Sequence, residues 1–482
     1  MSATSTAAAT TWSFIDGASV ESAQTFDNID PATGESLGGI GRAGEEEVDH
    51  AVCAGREAQP AWAATLPADR AEVLLRIAGL IERDAEELAR LESEDTGKPI
   101  GQARTDVTVA ARYFRFYGHA IESYYGLQIP LATDLHVYTR REPFGVVGSI
   151  VAWNYPLQLL SRAVAAAVVT GNAIVIKPAD ETPRTAVHVA RLAIEAGLPA
   201  GIFNVVTGIG AEAGAALTAH PDVALISFVG STEIGSRVAH AAADRVVPTV
   251  LELGGKSAQI VFPDADLDVA AEFAAKAILQ NAGQTCSAGS RLLAHSSIRE
   301  ELVAKVVERF AAVRMGPGKD DPDLGPLVSR TQQERVAGFV EEDHGGQVVI
   351  GGSAPDDERL AGGSFYAPTL IDGVSPTARI AQEEVFGPVI VTMPFADEEE
   401  AVALANATDY ALLGAVWTRD LGRAHRLAAA VQAGQVFVNT FGAGGGVELP
   451  FGGWKKSGYG REKGYEALDA FTQTKTVIMK LS

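Results

Sequence analysis

Residues 281–290 read NAGQTCSAGS, with one cysteine, Cys286, among small residues. A reactive cysteine needs access, a stabilised thiolate and room for a substrate. Ala282, Gly283, Ala288 and Gly289 would leave that room and let backbone N–H groups approach whatever forms on the sulfur. A helix starting near Ser287 would add the anion-favouring end of its dipole. The competing reading is an inert cysteine buried in a Gly/Ala-rich loop. Histidine, the usual activating partner, is absent nearby except His295, which lies in an apolar strand-like run. That weakens a cysteine-hydrolase reading.

Other residues could serve the same chemistry. Glu252 stands between Leu251 and Leu253, just before two glycines. A carboxyl in an apolar setting at a strand end can titrate near neutrality and act as a general base; a salt bridge is the alternative. Asn154, in VAWNYPLQ (151–158), offers a neutral amide donor suited to an oxyanion, though Asn is also common in turns. IVIKPADE (174–181) places Lys177 and Asp180 where they could address ribose hydroxyls. Two glycine stretches compete for a dinucleotide, GIGAEAG (208–214) and FVGSTEIG (228–235). In the second, Gly230 would let the backbone turn close to a ligand and Gly235 would pack helix on sheet. Both depart from G-x-G-x-x-G, so each is weak alone.

The elements that must hold these residues are legible as alternation. GVVGSIVAW, NAIVIKP, IFNVVTG, VALISFVGS and TVLELGG are short β-branched runs with helical segments between them. This pattern predicts a doubly wound, Rossmann-like parallel sheet. A second α/β series follows Cys286, from SRLLAHSSI to GQVFVNTF, with helices over 398–406 and 421–431. Residues 45–98 read as amphipathic helices, with Leu74, Leu75, Ile77, Leu80 and Ile81 at helical spacing and Cys53 as a small buried side chain. The expected organisation is a NAD-binding domain over 1–121 and 143–254, a catalytic domain over 255–467, and a small β element over 122–142 and 468–482.

Bulk properties narrow the function. The chain's 482 residues exceed the roughly 250–300 that one core sustains. With 47% hydrophobic and 21% charged residues it can bury sizeable cores. A formal charge of −22 repels nucleic acid and anionic membranes, so neither is an expected partner. Two cysteines make neither a disulfide framework nor a four-thiolate metal site, and no metal is expected. MSATSTAAATT lacks the features of a secretory signal and reads as a disordered tail. The run 163–176 is broken by Thr170, Gly171 and Asn172, too interrupted to span a bilayer. A cytoplasmic protein is expected.

Taken together, GQTC with Cys286, LELGGK with Glu252, WNYP with Asn154, IKP with Lys177, FVGSTEIG, EEVFGPV (383–389) and PFGGWKKSGYGRE (450–462) resemble the aldehyde dehydrogenase superfamily. The motifs run in that family's order from about Phe26 to the C-terminus. The resemblance implies Cys286 as nucleophile, Glu252 as general base, and Asn154 with the Cys286 backbone N–H as oxyanion hole. It implies Lys177 and Glu384 on the ribose hydroxyls, Phe386 and Trp153 by the nicotinamide, Leu253 lining the cofactor site, and the Ser231 loop on the pyrophosphate and adenosine. It makes Glu462 similar to a proton-relay carboxylate.

The cofactor expected is NAD, with NADP use within reach: Asp180 stands where NAD-preferring relatives often have Glu, and a shorter carboxylate repels a 2′-phosphate less. The implied pocket includes Tyr155, Leu159, Arg162, Gln280, Thr285, Ser287, Phe441 and Phe451, with the loop GAGGGVELP (442–450) at its border. Arg162 coincides with an arginine that succinate-semialdehyde members place on the substrate carboxylate, but Gln280 replaces their second arginine. Arg162 could equally pair with an acid. An aromatic or aliphatic aldehyde, or a semialdehyde, is expected as the small-molecule partner. Three rivals stand against this reading: a nicotinamide-independent cysteine hydrolase, a non-catalytic member of the fold, and a coenzyme A-acylating dehydrogenase, disfavoured by Glu252. Relatives assemble through a β element and a C-terminal strand, so a homodimer or homotetramer is expected; an unpaired TKTVIMK edge would invite aggregation.

Overall fold

The structure is a computed structural model that describes residues 10–442 and 446–481. The first nine residues of the expected tail, and 443–445 of the loop at the pocket border, lie outside the described residues.

Two sheets organise the chain. The first runs in space Ala18–Val20, Ser13–Ile15, Phe203–Val205, Ala173–Lys177, Val146–Ile150, Val223–Val229, Thr249–Glu252 and Gly458–Tyr459. Its five middle strands, Phe203–Val205 to Thr249–Glu252, are parallel. From Val146–Ile150 the chain winds outward one way to Phe203–Val205, then returns to add Val223–Val229 on the other side. The strand order therefore reverses beside Val146–Ile150, and ligands of open α/β sheets bind at the carboxyl ends of strands at such a point. Asn154, the Gly230–Ser231 turn and Glu252 all stand at those ends.

The second sheet runs Gln347–Ile350, Thr369–Asp372, Val389–Phe395, Arg291–His295, Ala258–Val261, Leu413–Trp417 and Gln435–Val438. It is parallel except for the pair made by Gln347–Ile350 with Thr369–Asp372. The chain crosses from sheet to sheet through Leu253–Ser257, so the carboxyl edge of the first faces the amino edge of the second. Cys286 lies just before Arg291–His295, on that facing edge.

Three features bear on the expected organisation. Gly458–Tyr459 pairs with Leu251 and Glu252 in the first sheet, and Val447, Ala467, Leu468 and Phe471 pack in its core, although all lie in or near the stretch read as catalytic domain. Leu135–Pro143 and Thr472–Lys480 form a two-stranded antiparallel ribbon, Leu135 facing Lys480 and Pro143 facing Thr472. No helix starts at Ser287. A short 3-10 turn, Gln280–Gly283, precedes Cys286, and the chain then runs irregularly into Arg291–His295. The expected helix dipole at the thiol is therefore absent.

Local sequence explains the elements that matter most. The helix Pro156–Val169 is apolar on nearly every side and buried except at Gln158, which fits a helix enclosed by others. Pro156 suits its first turn, where no N–H is needed. Ser231 caps the helix Thr232–Asp244, its Oγ accepting from Ile234 N at 3.3 Å. Gly235 lets this helix sit on the sheet: a Cβ there would lie 2.4 Å from Leu253 Cδ2.

Candidate active site

Between the two sheets lies a cavity of about 580 Å³. Cys286, Glu252, Asn154 and Arg162 line it together with Thr285 and Ser287. Tyr155, Leu159 and Phe451 wall one end, and Trp153, Gly230, Ser231, Leu253, Glu384 and Phe386 the other. Gln280 and Phe441 line a smaller adjoining hollow of about 140 Å³ that shares Thr285 and Ser287. Lys177, Asp180, Gly235 and Glu462 stand outside the lining.

Cys286 is half-buried. Its glycine neighbours serve the protein's own packing more than an open space. A Cβ at Gly283 would lie 2.0 Å from the Gly387 carbonyl oxygen, and one at Gly289 2.4 Å from Gln259 Nε2. Gly255, from the pair after Glu252, allows the Cys286 backbone to pass, since a Cβ there would meet the Cys286 oxygen at 2.2 Å. Asn281, Ala282 and Gly283 take successive left-handed conformations, φ 49°, 53° and 71°, which turn the thiol loop into the cavity. Burial pushes the Cys286 thiol well up, and the Glu252 and Glu384 carboxyls add to that, while Arg162 opposes.

Glu252 is 2% exposed, and apart from the Cys286 thiol within reach of it, its carboxyl oxygens have no hydrogen-bond partner among the described residues. Burial pushes it up to about 8, against the pull of Arg162. A buried carboxyl so sparsely partnered is costly, and here it opens on the cavity, so a water or reacting group can complete it.

Asn154 is held from three sides. Its Nδ2 donates to the Gln284 carbonyl at 2.9 Å, leaving the second amide hydrogen unspent. Its backbone oxygen accepts from Lys98 Nζ at 3.0 Å and Asn281 Nδ2 at 2.8 Å. Lys98 is fully buried and also bonds Glu92 at 3.0 Å and Asp106 at 2.6 Å. Sequence reasoning missed this cluster, because Glu92 and Asp106 lie on the separate helices Ala85–Thr96 and Ile100–Ala120 and Lys98 on the turn between them. Lys98→Met should leave two buried carboxyls facing each other and cost about 3–5 kcal/mol. Thermal unfolding checks this; an unchanged midpoint would mean that the cluster does not brace the site.

Arg162 forms an ion pair with Glu462, both buried. Arg162 thus pairs with an acid while also lining the cavity. The guanidinium lies 5.6 Å from the Phe451 ring centre. Lys463, another residue missed in the sequence, is 5% exposed and lines the same wall.

At the other end, Glu384 Oε1 accepts from Gly255 N at 2.9 Å, and a Cβ on Gly254 would meet Glu384 Oε2 at 2.6 Å. Burial pushes this carboxyl up to about 7. Phe386 takes a left-handed φ of 60° and sets its ring edge-on to Trp153, centroids 5.2 Å apart. Lys177, 2% exposed, pairs with Asp180, which also accepts from Gly210 N at 3.1 Å. So GIGAEAG packs beside the IKPAD turn. These residues fit a dinucleotide: the capped amino end of Thr232–Asp244 suits a pyrophosphate, Glu384 on the wall and Lys177 behind it suit sugar hydroxyls, and Trp153 and Phe386 offer apolar ring surface.

The sequence profile described as the aldehyde dehydrogenase family matches residues 18–477. The chain belongs to the aldehyde dehydrogenase family. Solved structures agree. A Burkholderia cenocepacia chain provisionally named an aldehyde dehydrogenase is 47% identical, with a TM-score of 0.95 over 98% of this chain and 100% of that one. The indole-3-acetaldehyde dehydrogenase of Pseudomonas syringae, solved with NAD+ and IAA, is 40% identical, with a TM-score of 0.95 over 98% and 96%. The betaine aldehyde dehydrogenase of Staphylococcus aureus, solved with NAD+, is 35% identical, with a TM-score of 0.95 over 98% and 97%. This aldehyde dehydrogenase is thus an oxidoreductase of the mixed α/β fold that its neighbours share.

Proposed function

We propose that this aldehyde dehydrogenase oxidises an uncharged aromatic or aliphatic aldehyde to its acid through a covalent thioester on Cys286. The observation that carries the reading is the buried Glu252 carboxyl, within reach of the half-buried Cys286 thiol and on the same cavity as the Asn154 amide. The Cys286 thiol gives its proton to solvent, and the thiolate Sγ attacks the carbonyl carbon. The oxyanion that forms takes the free Asn154 amide hydrogen and the Cys286 backbone N–H. NAD is the cofactor and, when bound, supplies the acceptor for the hydride that leaves the tetrahedral carbon. Lys177 and Glu384 would hold its ribose hydroxyls, Ser231 and Gly230 its pyrophosphate, and Trp153 and Phe386 would offer apolar surface to its nicotinamide. Asp180, fixed by Lys177 and Gly210 N, disfavours a 2′-phosphate, so NAD is preferred over NADP. Glu252 then takes a proton from water, hydroxide attacks the thioester, and the acid and the thiol are released. Glu462 holds Arg162 behind the reacting atoms.

The pocket selects by what its walls lack. Arg162 is matched by Glu462, and Gln280 carries no charge, so the paired-arginine clamp for a substrate carboxylate is missing, although Lys463 also lines this wall. Tyr155, Leu159, Phe451 and Phe441 offer apolar contact instead. The 40% identity to an indole-3-acetaldehyde dehydrogenase supports an aromatic side chain on the substrate. The division of labour proposed is cofactor binding by 1–121 and 143–254 and thiol chemistry by 255–467. We also propose a cytoplasmic homodimer or homotetramer joined through 122–142 and 468–482, where Leu127, Leu131, Ile478 and Leu481 are exposed.

The test is NADH formation with benzaldehyde, phenylacetaldehyde, hexanal and succinate semialdehyde, with and without coenzyme A, and with NADP in place of NAD. The uncharged aldehydes should exceed succinate semialdehyde in kcat/KM by at least about tenfold, the worth of roughly one unmet polar contact. Coenzyme A should change nothing, and NAD should exceed NADP. A preference for succinate semialdehyde would overturn the substrate reading, and a requirement for coenzyme A would overturn the hydrolytic one.

A further inference from the structure

Asn281 has no part in the mechanism above, yet it joins the two segments that carry it. It is 2% exposed and takes a left-handed backbone, φ 49° and ψ 35°, a conformation that asparagine tolerates better than most residues. Its own backbone is fully engaged. The amide N donates to Gln102 Oε1 at 3.0 Å, on the helix Ile100–Ala120. The carbonyl oxygen accepts from Gln284 N at 3.0 Å and from Gln284 Nε2 at 3.1 Å. The side chain reaches out of the loop: Nδ2 donates to the Asn154 carbonyl oxygen at 2.8 Å and to the Gln284 carbonyl oxygen at 3.3 Å. Asn154 answers with its own Nδ2 on the same Gln284 oxygen, at 2.9 Å. A closed ring results, from Asn154 O through Asn281 Nδ2 and Gln284 O back to Asn154 Nδ2. Asn154 follows the strand Val146–Ile150 of the first sheet, and Gln284, close before Cys286, precedes the strand Arg291–His295 of the second. The ring therefore ties the oxyanion amide to the thiol loop from one sheet to the other.

Resting on the reading of Asn154 as oxyanion donor, we propose that Asn281 is a positioning residue for it: by holding the Asn154 and Gln284 carbonyls with one amide, it sets where the free Asn154 amide hydrogen points relative to Cys286 Sγ. An amide NH₂ is planar, so once one hydrogen is given to Gln284 O the direction of the other is fixed. That direction is only as good as the placement of Gln284 O against Asn154, and Asn281 is the side chain bonded to both. Lys98 Nζ holds the same Asn154 oxygen at 3.0 Å, but its other bonds go to Glu92 and Asp106, neither of them in the thiol loop. Asn281 stands outside the cavity lining, so it acts through Asn154 and not on the substrate. Placement matters because an oxyanion donor must come within about 2.7–3.1 Å of the developing charge. A misplacement of about 1 Å costs about 10²-fold in rate.

The experiment is the pre-steady-state burst of NADH from the full-length protein, at saturating NAD and with the fastest of the four aldehydes above. Asn281→Gly keeps the left-handed backbone and deletes the bridging amide. Its burst should slow by about 10–10²-fold, less than the 10²–10³-fold expected of Asn154→Ala, which loses the donor itself. Its affinity for NAD should stay at the wild-type value. Asn281→Asp is isosteric, tolerates the same backbone, and at about pH 9 its carboxylate has no hydrogen to give; it repeats the test if the glycine variant folds poorly. Two further readouts separate aiming from packing. Alkylation of Cys286 by iodoacetamide forms no oxyanion and should proceed in Asn281→Gly at the wild-type rate, read as the mass of the Cys286 peptide so that Cys53 does not interfere. On an Asn154→Ala background, adding Asn281→Gly should slow the burst by less than about twofold, since no amide remains to be aimed. A wild-type burst in both Asn281 variants would overturn the proposal. So would a parallel fall in alkylation, or an undiminished Asn281→Gly loss on the Asn154→Ala background, because either would place the effect in the thiol loop alone. Asn154→Ala by itself tests the underlying reading. If its burst matches the wild type, Asn154 is not the oxyanion donor; if it slows and Asn281→Gly does not, only the positioning role falls.

Discussion

Cys286→Ala should abolish NADH formation from every aldehyde, a loss of about 10⁴-fold or more, as when a covalent nucleophile is removed from other enzymes. The protein should remain folded and should still bind NAD. The reasons are structural. Cys286 is half-buried, so losing one sulfur leaves a small void, and such a truncation costs on the order of 1 kcal/mol. The backbone of the loop is set by other contacts: Gln284 Oε1 accepts from Val328 N at 2.9 Å, and the Gly255 and Gly283 positions seat it against neighbouring chain. The end of the cavity at Trp153 and Phe386, proposed for the cofactor, owes nothing to the sulfur. Steady-state rates, a thermal melt and calorimetric NAD titration together check this. Residual turnover above one per cent, with the fold and NAD affinity intact, would refute covalent catalysis through this thiol.

How far the sequence spoke depended on whether a residue's setting is local. The β-branched runs of the first sheet were legible because each is short, apolar and closed by Gly, Pro or Asn. Ala173–Lys177 is buried along its whole length, which is why it reads as an unbroken apolar run. Glu252 stood out because it interrupts such a run at its end. The thiol loop was legible as a feature but not as a shape. Its glycines suggested open space, and they prove to admit the backbone of Gly387 and the side chain of Gln259. The expected helix at Ser287 fails because the chain must instead run into Arg291–His295.

What stayed hidden was set by distant pairing. Lys98, Glu92 and Asp106 look like solvent-facing charges, and only the approach of Asn154 and the surrounding helices buries them. Arg162 and Glu462 are far apart in sequence, so no spacing rule links them. Lys463 was invisible because nothing about a lysine announces a left-handed turn. The strands Ser13–Ile15 and Ala18–Val20 are three residues each, too short for any periodicity to register.

The base should be separable from the nucleophile. With Glu252→Gln, the first turnover should still release one NADH per active site, even if more slowly, because attack and hydride loss precede the step that needs a base. Water would then lack its proton acceptor, and steady-state turnover should fall by about 10²–10⁴-fold. The enzyme should accumulate as an acyl thioester, visible as added mass on the Cys286 peptide. The pH profile gives an independent check. Burial holds the Glu252 carboxyl protonated up to about 8, with Arg162 opposing. The base is the deprotonated form, so wild-type kcat should rise with pH through the region around 8. Gln cannot titrate, and in that variant the alkaline rise in deacylation should flatten. Glu252→Asp should keep the rise but lose rate, since the shorter side chain draws the carboxyl back toward Leu251 and Leu253 and away from the thioester. A Gln variant that turns over at the wild-type rate, or that keeps the same pH-dependent limb, would assign the base to another group on this wall.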